Sequence, residues 1–505
     1  MGTETEIKLS FSDAVDPLAW LEPVLAGLKV ESEGSPRQLR NRYFDTDDRQ
    51  LKAWGMGLRI RQAGEHREQT LKTAGTGVAG LSQRPEYNLP LAGDVPVLAD
   101  FPAEIWPDGT DLAGLQQSLT EQFCTHFERR TWLVSDGSNR IEIALDMGQV
   151  EAGGLVLPIR ELELELVGGD VDALLALAGK LLAQDGVQMM GLSKAARGHW
   201  VAQGMPTLAV KAKAPRAGRR MGNDQVLQAA LLSALEQWQQ GEDALALTQD
   251  PRFLVELDRA LQYFRQVLQL FGALVPRKAS SELRQECQWL SDELQAGQAL
   301  ARISKVLEGK GAFLKKVLAK EALLAQAESR LHSLPPPQRF VALVRSQRYS
   351  QLKLAALSFA LQRGWRPELD DKALAQLDKP VKWFADTQLA RTHGELKKHL
   401  KPELSRPDLQ DQESRILKAA TVARTFLRLY DGAAAQPFLQ LLEDLGLGLE
   451  ELKRLDGIEQ LARRLDLEED EEEQLGRWLR RKRDSLMLAM EQSRRQLMQL
   501  PVYWP

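Results

Sequence analysis

Cysteine is scarce in this chain, and its two cysteines lie far apart. The 505 residues contain only Cys124 and Cys287, so the sequence predicts neither a secreted disulfide framework nor a spaced set of metal-binding thiols. Histidine is also rare, and no His/Cys cluster is visible along the chain, which argues against a zinc site. This composition favours a reducing compartment.

Long apolar runs are also missing. No run approaches the roughly 18–20 residues needed to cross a bilayer, and the first residues are polar and acidic, unlike a signal peptide. The sequence holds no Gly-x-x-x-x-Gly-Lys-Ser/Thr loop, so a P-loop enzyme is not indicated. We expect a soluble, cytoplasmic protein of more than one domain, with no membrane partner and no sequence-specific nucleic-acid partner.

The N-terminal part reads as strands with intervening helices. Pro17 suits a first helical position, with Asp16 as its N-cap, and an apolar stripe predicts a helix over 171–184. A third helix is predicted over 113–121. Period-two patterns predict strands over residues 4–11, 38–44, 57–62, 68–73, 84–89, 127–134, 140–145 and 161–167.

A Pro/Ala/Lys/Arg-rich linker over residues 204–222 separates this part, residues 1–203, from a second part, residues 223–505. From Asn223, a predicted N-cap, apolar residues recur every three or four positions, which indicates an all-helical domain. The acidic run at 468–473 fits a solvated helix start. Helices are predicted over 254–274, 280–308, 313–333, 338–363, 413–431 and 476–500.

Strand after strand in the first part has one apolar face and one ionisable face. Glu4, Glu6 and Lys8 share a face because alternate side chains of a strand point the same way. Two adjacent carboxylates repel each other unless a cation lies between them. The same alternation places together Arg59 and Arg61, Thr70 and Lys72, Arg84 and Glu86, Glu142 and Asp146, and Glu161, Glu163 and Glu165.

Two architectures explain these charged faces. An ordinary sheet would bury its apolar face and expose its charges to water. A closed sheet would instead turn its charges inward around a tunnel, which requires a metal and an anion to compensate them. In such a tunnel arginine forks would bind phosphate oxygens, and carboxylates would hold Mg²⁺ or Mn²⁺ for attack of water on phosphorus.

The charged motifs resemble a known family, the CYTH or triphosphate tunnel metalloenzyme superfamily. Residues 80–88 and 192–198 look like segments of its bacterial two-domain members, the CYTH–CHAD inorganic triphosphatases. The helical second part fits their CHAD domain. The motifs that follow the family's order are Glu4-x-Glu6-x-Lys8, Tyr43-Phe44-Asp45-Thr46, Leu58-Arg59-Ile60-Arg61, Lys72, Glu86, Arg129, Asp146, Glu161-x-Glu163 and Lys194.

The resemblance implies an α+β chain, with an eight-stranded antiparallel β tunnel flanked by helices and then an all-α helical bundle. It implies hydrolysis of inorganic triphosphate to diphosphate and phosphate with Mg²⁺ or Mn²⁺. Tyr43 would be a proton-handling partner or a packing residue, and Glu86 part of the acidic lining. The implied phosphate-binding residues are Lys8, Arg59, Arg61, Lys72, Arg129 and Lys194, and the implied metal-serving residues are Glu4, Glu6, Asp146, Glu161 and Glu163.

The helical part departs from the family pattern. The resemblance to CHAD domains implies histidines beside arginines on helix faces. These faces are thought to receive polyphosphate. Here the corresponding helix, near 253–271, has Arg259 and Arg265 but no histidine. Basic clusters remain at 310–320, 391–401 and 477–483. Polyphosphate binding and a structural role are both open for this part.

Other functions fit the same motifs. Within the superfamily, the alternatives are a thiamine triphosphatase and a CYTH-type adenylate cyclase, although no sequence feature indicates an adenine pocket. A different class of function would be a non-catalytic polyphosphate-binding scaffold, with the tunnel used only for binding.

Overall fold

The computed structural model describes the backbone of residues 2–505 and the side chains of residues 4–505. The chain forms two compact units. Unit 1 contains the residues up to 209 together with residues 342–355, and unit 2 contains residues 210–341 and 356–505. Within unit 1, Ser350 Oγ donates a hydrogen bond to Val187 O at 3.0 Å. Unit 1 therefore includes a short piece of the helical half, which sequence periodicity did not indicate.

The strands of unit 1 pair in antiparallel fashion. All eight predicted strands are present, and the described residues add three short ones, β2, β6 and β11. In chain order the strands are β1 (Gly2–Phe11), β2 (Lys29–Glu33), β3 (Arg37–Asp45), β4 (Gly57–Ala63), β5 (His66–Lys72), β6 (Thr76–Val78), β7 (Leu81–Pro90), β8 (Thr120–Asp136), β9 (Asn139–Ala152), β10 (Leu155–Gly168) and β11 (Val187–Met189).

Eight of these strands close into a barrel. The order β1-β10-β9-β8-β3-β4-β5-β7 returns to β1, because β1 also pairs with β7 from Gly2 opposite Glu86 to Ile7 opposite Leu81. The three short strands lie outside this ring and pair with β1, β7 and β8. The tunnel architecture is therefore confirmed over the open sheet.

The apolar faces of the strands lie on the outside of the barrel. Ile7 and Leu164 are fully buried there, near helix α4 (Val171–Leu181), which packs beside β1 and β10. On the opposite side, Leu58 and Ile60 pack with residues 98–115. Because these faces are covered, burial of the apolar outside stabilises the barrel, and the charged faces turn inward.

One end of the barrel is filled by apolar side chains and by helix α5 (Lys194–Ala202). Tyr43, Phe123, Phe127 and Val150 form a buried cluster with Val201 of α5. The sequence did not predict α5 as a helix. Its position brings its first residue, Lys194, to the tunnel.

Two further helices of unit 1, α1 (Pro17–Ala26) and α3 (Leu112–Gln117), agree with the sequence in place but not always in length. A short helix, α2 (Gln50–Ala53), was not predicted from the sequence. Asp16 caps α1 as predicted and accepts hydrogen bonds from the amides of Leu18 and Ala19. The helix predicted over 113–121 ends at Gln117, because β8 begins at Thr120.

The second half of the chain is helical, as predicted. None of the helices in the described part of the chain combines the length and apolar composition needed to cross a bilayer. The helices are α6 (Asn223–Thr248), α7 (Arg252–Leu270), α8 (Ser281–Leu307), α9 (Lys320–His332), α10 (Pro337–Val344), α11 (Gln347–Leu361), α12 (Asp371–Leu377), α13 (Val381–His399), α14 (Arg406–Asp411), α15 (Glu413–Phe426), α16 (Gly432–Ala462) and α17 (Glu469–Gln499).

Three details of these helices correct the sequence prediction. Asn223 is the first helical residue and Gly222 the N-cap, because the Asn223 side chain donates instead to Gln376 O at 3.0 Å. The helix predicted over 338–363 is interrupted between α10 and α11, and the one predicted over 313–333 begins only at Lys320. The acidic start of α17 is confirmed, with Glu468 as its N-cap.

Candidate active site in the tunnel

The closed ring brings the predicted site residues together. Strand register pairs Lys8 with Glu163 and Arg129 with Asp146, and α5 adds Lys194. Contacts also cross non-adjacent strands, since Lys72 of β5 forms an ion pair with Glu4 of β1. The predicted residues that this interior contains are Glu4, Glu6, Lys8, Tyr43, Arg59, Arg61, Lys72, Glu86, Arg129, Asp146, Glu161, Glu163 and Lys194.

An acidic cluster of Asp146, Glu161 and Glu163 lies on the inner face of β9 and β10. Carboxylate oxygens of the three residues all lie within 4.8 Å of one another. Asp146 and Glu161 are fully buried. An all-oxygen set of clustered carboxylates suits a hard divalent cation, so the donor chemistry of this cluster fits Mg²⁺ or Mn²⁺.

Cationic side chains surround the acidic cluster. Lys194 Nζ lies 2.6 Å from Asp146 Oδ2 and donates to Glu163 Oε1 at 3.0 Å, and it also pairs with Glu161. Arg129 donates from Nε to Asp146 Oδ1 at 2.7 Å. Buried charges of one sign are costly without partners. These cations therefore offset the free-energy cost of burying the three carboxylates.

The same ion pairs shift the pKa values of their members. Burial alone would raise the pKa of the Glu163 carboxyl, but Lys194, Lys8 and Arg129 hold it well below its usual range. Burial would lower the pKa of Lys8, but Glu163 and Glu6 raise it. The tunnel wall therefore carries both negative and positive side chains at neutral pH.

A second acidic group lies where β1, β5 and β7 meet. Lys72 Nζ lies 3.1 Å from Glu86 Oε2, and Arg59 Nη2 lies 3.4 Å from Glu86 Oε1. Against the raising effect of burial, Lys72 and Arg59 lower the pKa of Glu86. Burial raises the pKa of Glu4, opposed by Lys72 and reinforced by Glu6 and Glu86. The two carboxyls thus differ in proton affinity.

Positive charge is concentrated around Arg59, Arg61 and Arg129. Burial, together with the nearby Arg59 and Arg129, lowers the pKa of Arg61 to about 10. The buried Nε of Arg59 has no hydrogen-bond partner among the described residues. Such a group of donors is ready to receive an anion with several oxygens.

Tyr43 combines packing with a position beside an arginine. Its ring stacks on Phe123 with centroids 4.5 Å apart, and the residue lies directly opposite Arg59 on the neighbouring strand. Burial alone would lower the pKa of Arg59, but the nearby Tyr43 and Glu86 side chains raise it. The packing interpretation accounts for its ring, and the proton-handling role stays a prediction.

Several residues of the site were not assigned to it from the sequence. Arg197 forms a buried ion pair with Glu161, since α5 carries it one turn beyond Lys194. Ser82 Oγ donates to Glu6 Oε1 at 3.0 Å, and Asn41 Oδ1 accepts from Arg61 Nε at 3.0 Å. Strand alternation with Glu86 and Tyr43 was the signal that could have identified Ser82 and Asn41.

Glu165 follows Glu161 and Glu163 on the same face of β10. It is half-buried and lies opposite Glu6. Burial, with the nearby Glu4 and Glu142 carboxylates, raises the pKa of Glu165 to about 7. It therefore belongs to the acidic lining, in line with its alternation with Glu161 and Glu163.

One expectation from the sequence is wrong. The sequence indicated no His/Cys cluster, but the structure brings Cys124 and His126 together with Glu151 on the outer face of the barrel. The cluster forms across two strands, β8 and β9, so the linear spacing of the residues did not indicate it.

Family models match the two halves of the chain in order. Residues 2–198 match the CYTH domain, and residues 229–463 match the CHAD domain. The chain is a CYTH–CHAD protein. The family resemblance and the fold class inferred from the sequence are thereby confirmed.

Known proteins similar to this CYTH–CHAD chain include an inorganic triphosphatase of Haemophilus influenzae. The two are 39% identical over 204 residues, which is 39% of this chain and 55% of the relative. The match thus spans little more than half of the relative's length.

Two solved structures show weaker likenesses. The CHAD domain from the plant Ricinus communis is 19% identical and covers 59% of this chain and 99% of its own, with a TM-score of 0.43. A putative adenylyl cyclase from Hippeastrum, described as having a dominant triphosphatase activity, is 19% identical and covers 39% of this chain and 94% of its own, with a TM-score of 0.28. Because both TM-scores are low, the domain assignments rest on the family models.

The arginines of the first CHAD helices are already engaged within the domain. Arg259 forms ion pairs with Glu256, at 2.6 Å, and with Glu450, and Arg265 Nη2 donates to Gln288 Oε1 at 2.5 Å. The basic run at 477–483 within α17 is also partly paired, since Arg477 lies 2.8 Å from Glu473 and Arg483 lies 2.9 Å from Asp456. Much of the positive charge of these helices is therefore used in local contacts.

Proposed function

We propose that the tunnel of this CYTH–CHAD chain hydrolyses inorganic triphosphate to diphosphate and phosphate. The observation that carries the proposal is the closed barrel that turns an acidic cluster, Asp146, Glu161 and Glu163, toward the arginine group of Arg59 and Arg61. Carboxylates beside cationic donors suit a metal-bound polyphosphate. The 39% identical relative named inorganic triphosphatase supports the same substrate.

In this proposal the cationic side chains hold the phosphates. Arginine forks bind phosphate oxygens through two parallel hydrogen bonds, and lysines act as point charges. The arginines cancel negative charge on the substrate where it would otherwise repel an attacking water. The phosphate-binding set is Lys8, Arg59, Arg61, Lys72, Arg129 and Lys194.

The acidic residues would hold Mg²⁺ or Mn²⁺. Asp146, Glu161 and Glu163 form the set whose oxygens lie within 4.8 Å, and Glu4 and Glu6 would add carboxylates from β1. Such an ion would supply positive charge that neutralises the substrate phosphates. Lys194 and Arg129, which pair with these carboxylates, would then be able to contact the phosphates.

The direct test is release of phosphate from triphosphate by the purified chain with Mg²⁺ or Mn²⁺. Glu6→Gln and Arg59→Ala should each lower kcat by about 100-fold or more, since removal of one preorganised charge-stabilising group costs that much. Arg67→Ala, on the outer face of β5 beside Asp94, is the matched control and should retain full activity. Unchanged turnover in both tunnel variants would refute the assignment.

A substrate panel separates this proposal from its alternatives. Triphosphate, ATP, thiamine triphosphate and long-chain polyphosphate should be compared by kcat/KM under the same metal. The proposal expects triphosphate to be preferred. Higher efficiency on thiamine triphosphate, or cyclic nucleotide formed from ATP, would support another superfamily activity, and binding without turnover would support a scaffold.

Polyphosphate binding by the CHAD domain is a separate proposal that the basic clusters at 310–320, 391–401 and 477–483 support. An Arg59→Ala background removes the tunnel contribution in the full-length chain. Retention of that variant on immobilised polyphosphate should fall when Lys397, Lys398 and Lys401 are changed to glutamate. Equal retention would favour a structural role for these helices.

A further inference from the structure

A mixed group of metal-ligating side chains lies on the outside of the CYTH barrel, away from the tunnel lining. Cys124 and His126 are two residues apart on β8 and therefore share its outer face. Glu151 lies on β9 directly opposite Cys124 in the strand register, and His126 lies opposite Gln149. Neighbouring residues Thr125 and Phe127 point the other way, toward the buried interior.

The donor atoms of this group converge. Cys124 Sγ lies 4.0 Å from Glu151 Oε2, and one ligand atom of each of the three residues lies within 4.8 Å of the other two. All three residues are half-buried. Gln149 donates to the other carboxylate oxygen of Glu151, which orients the free oxygen toward the thiol.

The donor set selects the metal. A thiolate, an imidazole and a carboxylate are together typical of zinc, whereas Mg²⁺ and Ca²⁺ take oxygen ligands. With zinc bonds of about 2.0–2.3 Å, tetrahedral ligand atoms lie about 3.5 Å apart. The observed spacing therefore needs only small side-chain rotations, on two strands held by a continuous hydrogen-bonded ladder.

The surroundings are compatible with a bound cation. Arg42, opposite Cys124 on β3, is already paired with Asp94 at 3.3 Å and lies 3.7 Å from Glu121. Glu121 adds negative charge beside the thiol, and Arg40, opposite His126 on β3, adds positive charge. A surface pocket of about 370 Å³, lined by residues that include Cys124 and Glu151, leaves space for a water ligand.

We propose that Cys124, His126 and Glu151 form a zinc site on the outer face of β8 and β9, with a fourth position open to water. The site is distinct from the carboxylate cluster of the tunnel and does not depend on the proposed activity. Bound zinc would connect β8 to β9 and, because it binds the folded chain, would raise its stability.

Cobalt spectroscopy on the full-length chain tests the site directly. Co²⁺ bound by a thiolate gives a near-ultraviolet charge-transfer band, which oxygen ligands in the tunnel do not give. We expect this band at one ion per chain, its displacement by Zn²⁺, and its loss in Cys124→Ala. Cys287→Ala, which removes the other cysteine, should retain it. Absence of the band in the wild-type chain, or its persistence in Cys124→Ala, would overturn the proposal.

Thiol reactivity provides a second readout. Cys287 is fully buried, and burial raises the pKa of its thiol to about 12, so Cys124 is the thiol that a disulfide reagent reaches in the folded chain. Zn²⁺ should slow this reaction by at least about 10-fold. Residues that only support the ligands of a metal site already change metal affinity by about that factor. His126→Ala should remove the protection, and equal protection in that variant would contradict the assigned ligands.

Discussion

Arg129 grips the Asp146 carboxylate with two hydrogen bonds, from Nε to Oδ1 at 2.7 Å and from Nη2 to Oδ2 at 2.6 Å. The two residues face each other on paired strands β8 and β9, and Asp146 is fully buried. The pair therefore connects β8 to β9 on the tunnel wall. It also fixes the orientation of one carboxylate of the proposed metal site.

Removal of this arginine should destabilise the metal-free chain. Arg129→Ala leaves the buried Asp146 with Lys194 as its remaining cationic partner, at 2.6 Å. We expect a loss of about 1.5–3 kcal/mol in the free energy of unfolding, as for hydrogen bonds to a charged group. Arg130→Ala removes the adjacent, outward arginine and should change stability by no more than about 0.5 kcal/mol. Urea unfolding of the two variants makes the comparison, and equal losses would contradict it.

Helix α5 depends on a glycine at its contact with the barrel. A Cβ at Gly198 would lie 2.0 Å from Phe123 Cε2, so Gly198→Ala must displace the helix or the ring. We expect a loss of about 1–3 kcal/mol, typical of overpacking, and lower triphosphatase activity because α5 carries Lys194. In α13 a Cβ at Gly394 would meet nothing within 4 Å, and Gly394→Ala should stabilise by up to about 1 kcal/mol. Thermal unfolding that ranks the two variants in the opposite order would refute this packing argument.

His199 should make the stability depend on pH. Burial, with Lys52 and Arg49 nearby, lowers its pKa in the folded chain from 6.5 to about 4. The unfolded chain therefore binds the proton first, so stability is lost as the pH falls from about 6.5 to 4.

Replacement of this histidine isolates its contribution. After allowance for partial solvent screening, wild type should lose about 1–3 kcal/mol more than His199→Gln between pH 7 and 4. The exposed His66 is the control, and His66→Gln should follow the wild-type curve. Parallel pH profiles for His199→Gln and wild type would rule out a neutral buried imidazole.

Triphosphate should stabilise the chain through the arginine group. At about 100 times Kd, a ligand that binds only the folded state adds about 2.7 kcal/mol. Arg61→Ala removes one of the phosphate-binding forks, so its increase in Tm at the same triphosphate concentration should be smaller. Arg67→Ala, on the same hairpin but outside the barrel, should retain the full increase. An undiminished shift in Arg61→Ala would remove this residue from the phosphate-binding set.

Most of the fold could be predicted from local patterns. The alternation of Glu161, Leu162, Glu163 and Leu164 is visible without coordinates, because side chains of a strand repeat every two residues. Strand ends were less predictable. The helix predicted over residues 113–121 ends one turn early, because β8 begins there. The three short strands have too few residues to show a period of two.

The composition of the site was predictable only where residues lie on an alternating strand. Glu4, Glu6 and Lys8 could be grouped from their spacing, and the family motifs supplied the rest. Arg197 could not be assigned, because its contact with Glu161 depends on where α5 meets the barrel. The Cys124, His126 and Glu151 group was missed for the same kind of reason, since strand pairing brings residue 151 beside residue 124.

The sequence by itself determined which side chains share a face and which half of the chain is helical, because both follow from the periods of strand and helix. Only the tertiary structure decided which way the charged faces point. An open sheet and a closed barrel satisfy the same alternation, and the pairing of β1 with β7 closes the ring. Closure places opposite charges within hydrogen-bonding distance in a buried interior, where their mutual attraction is strong enough to shift the pKa values of Glu163 and Lys8.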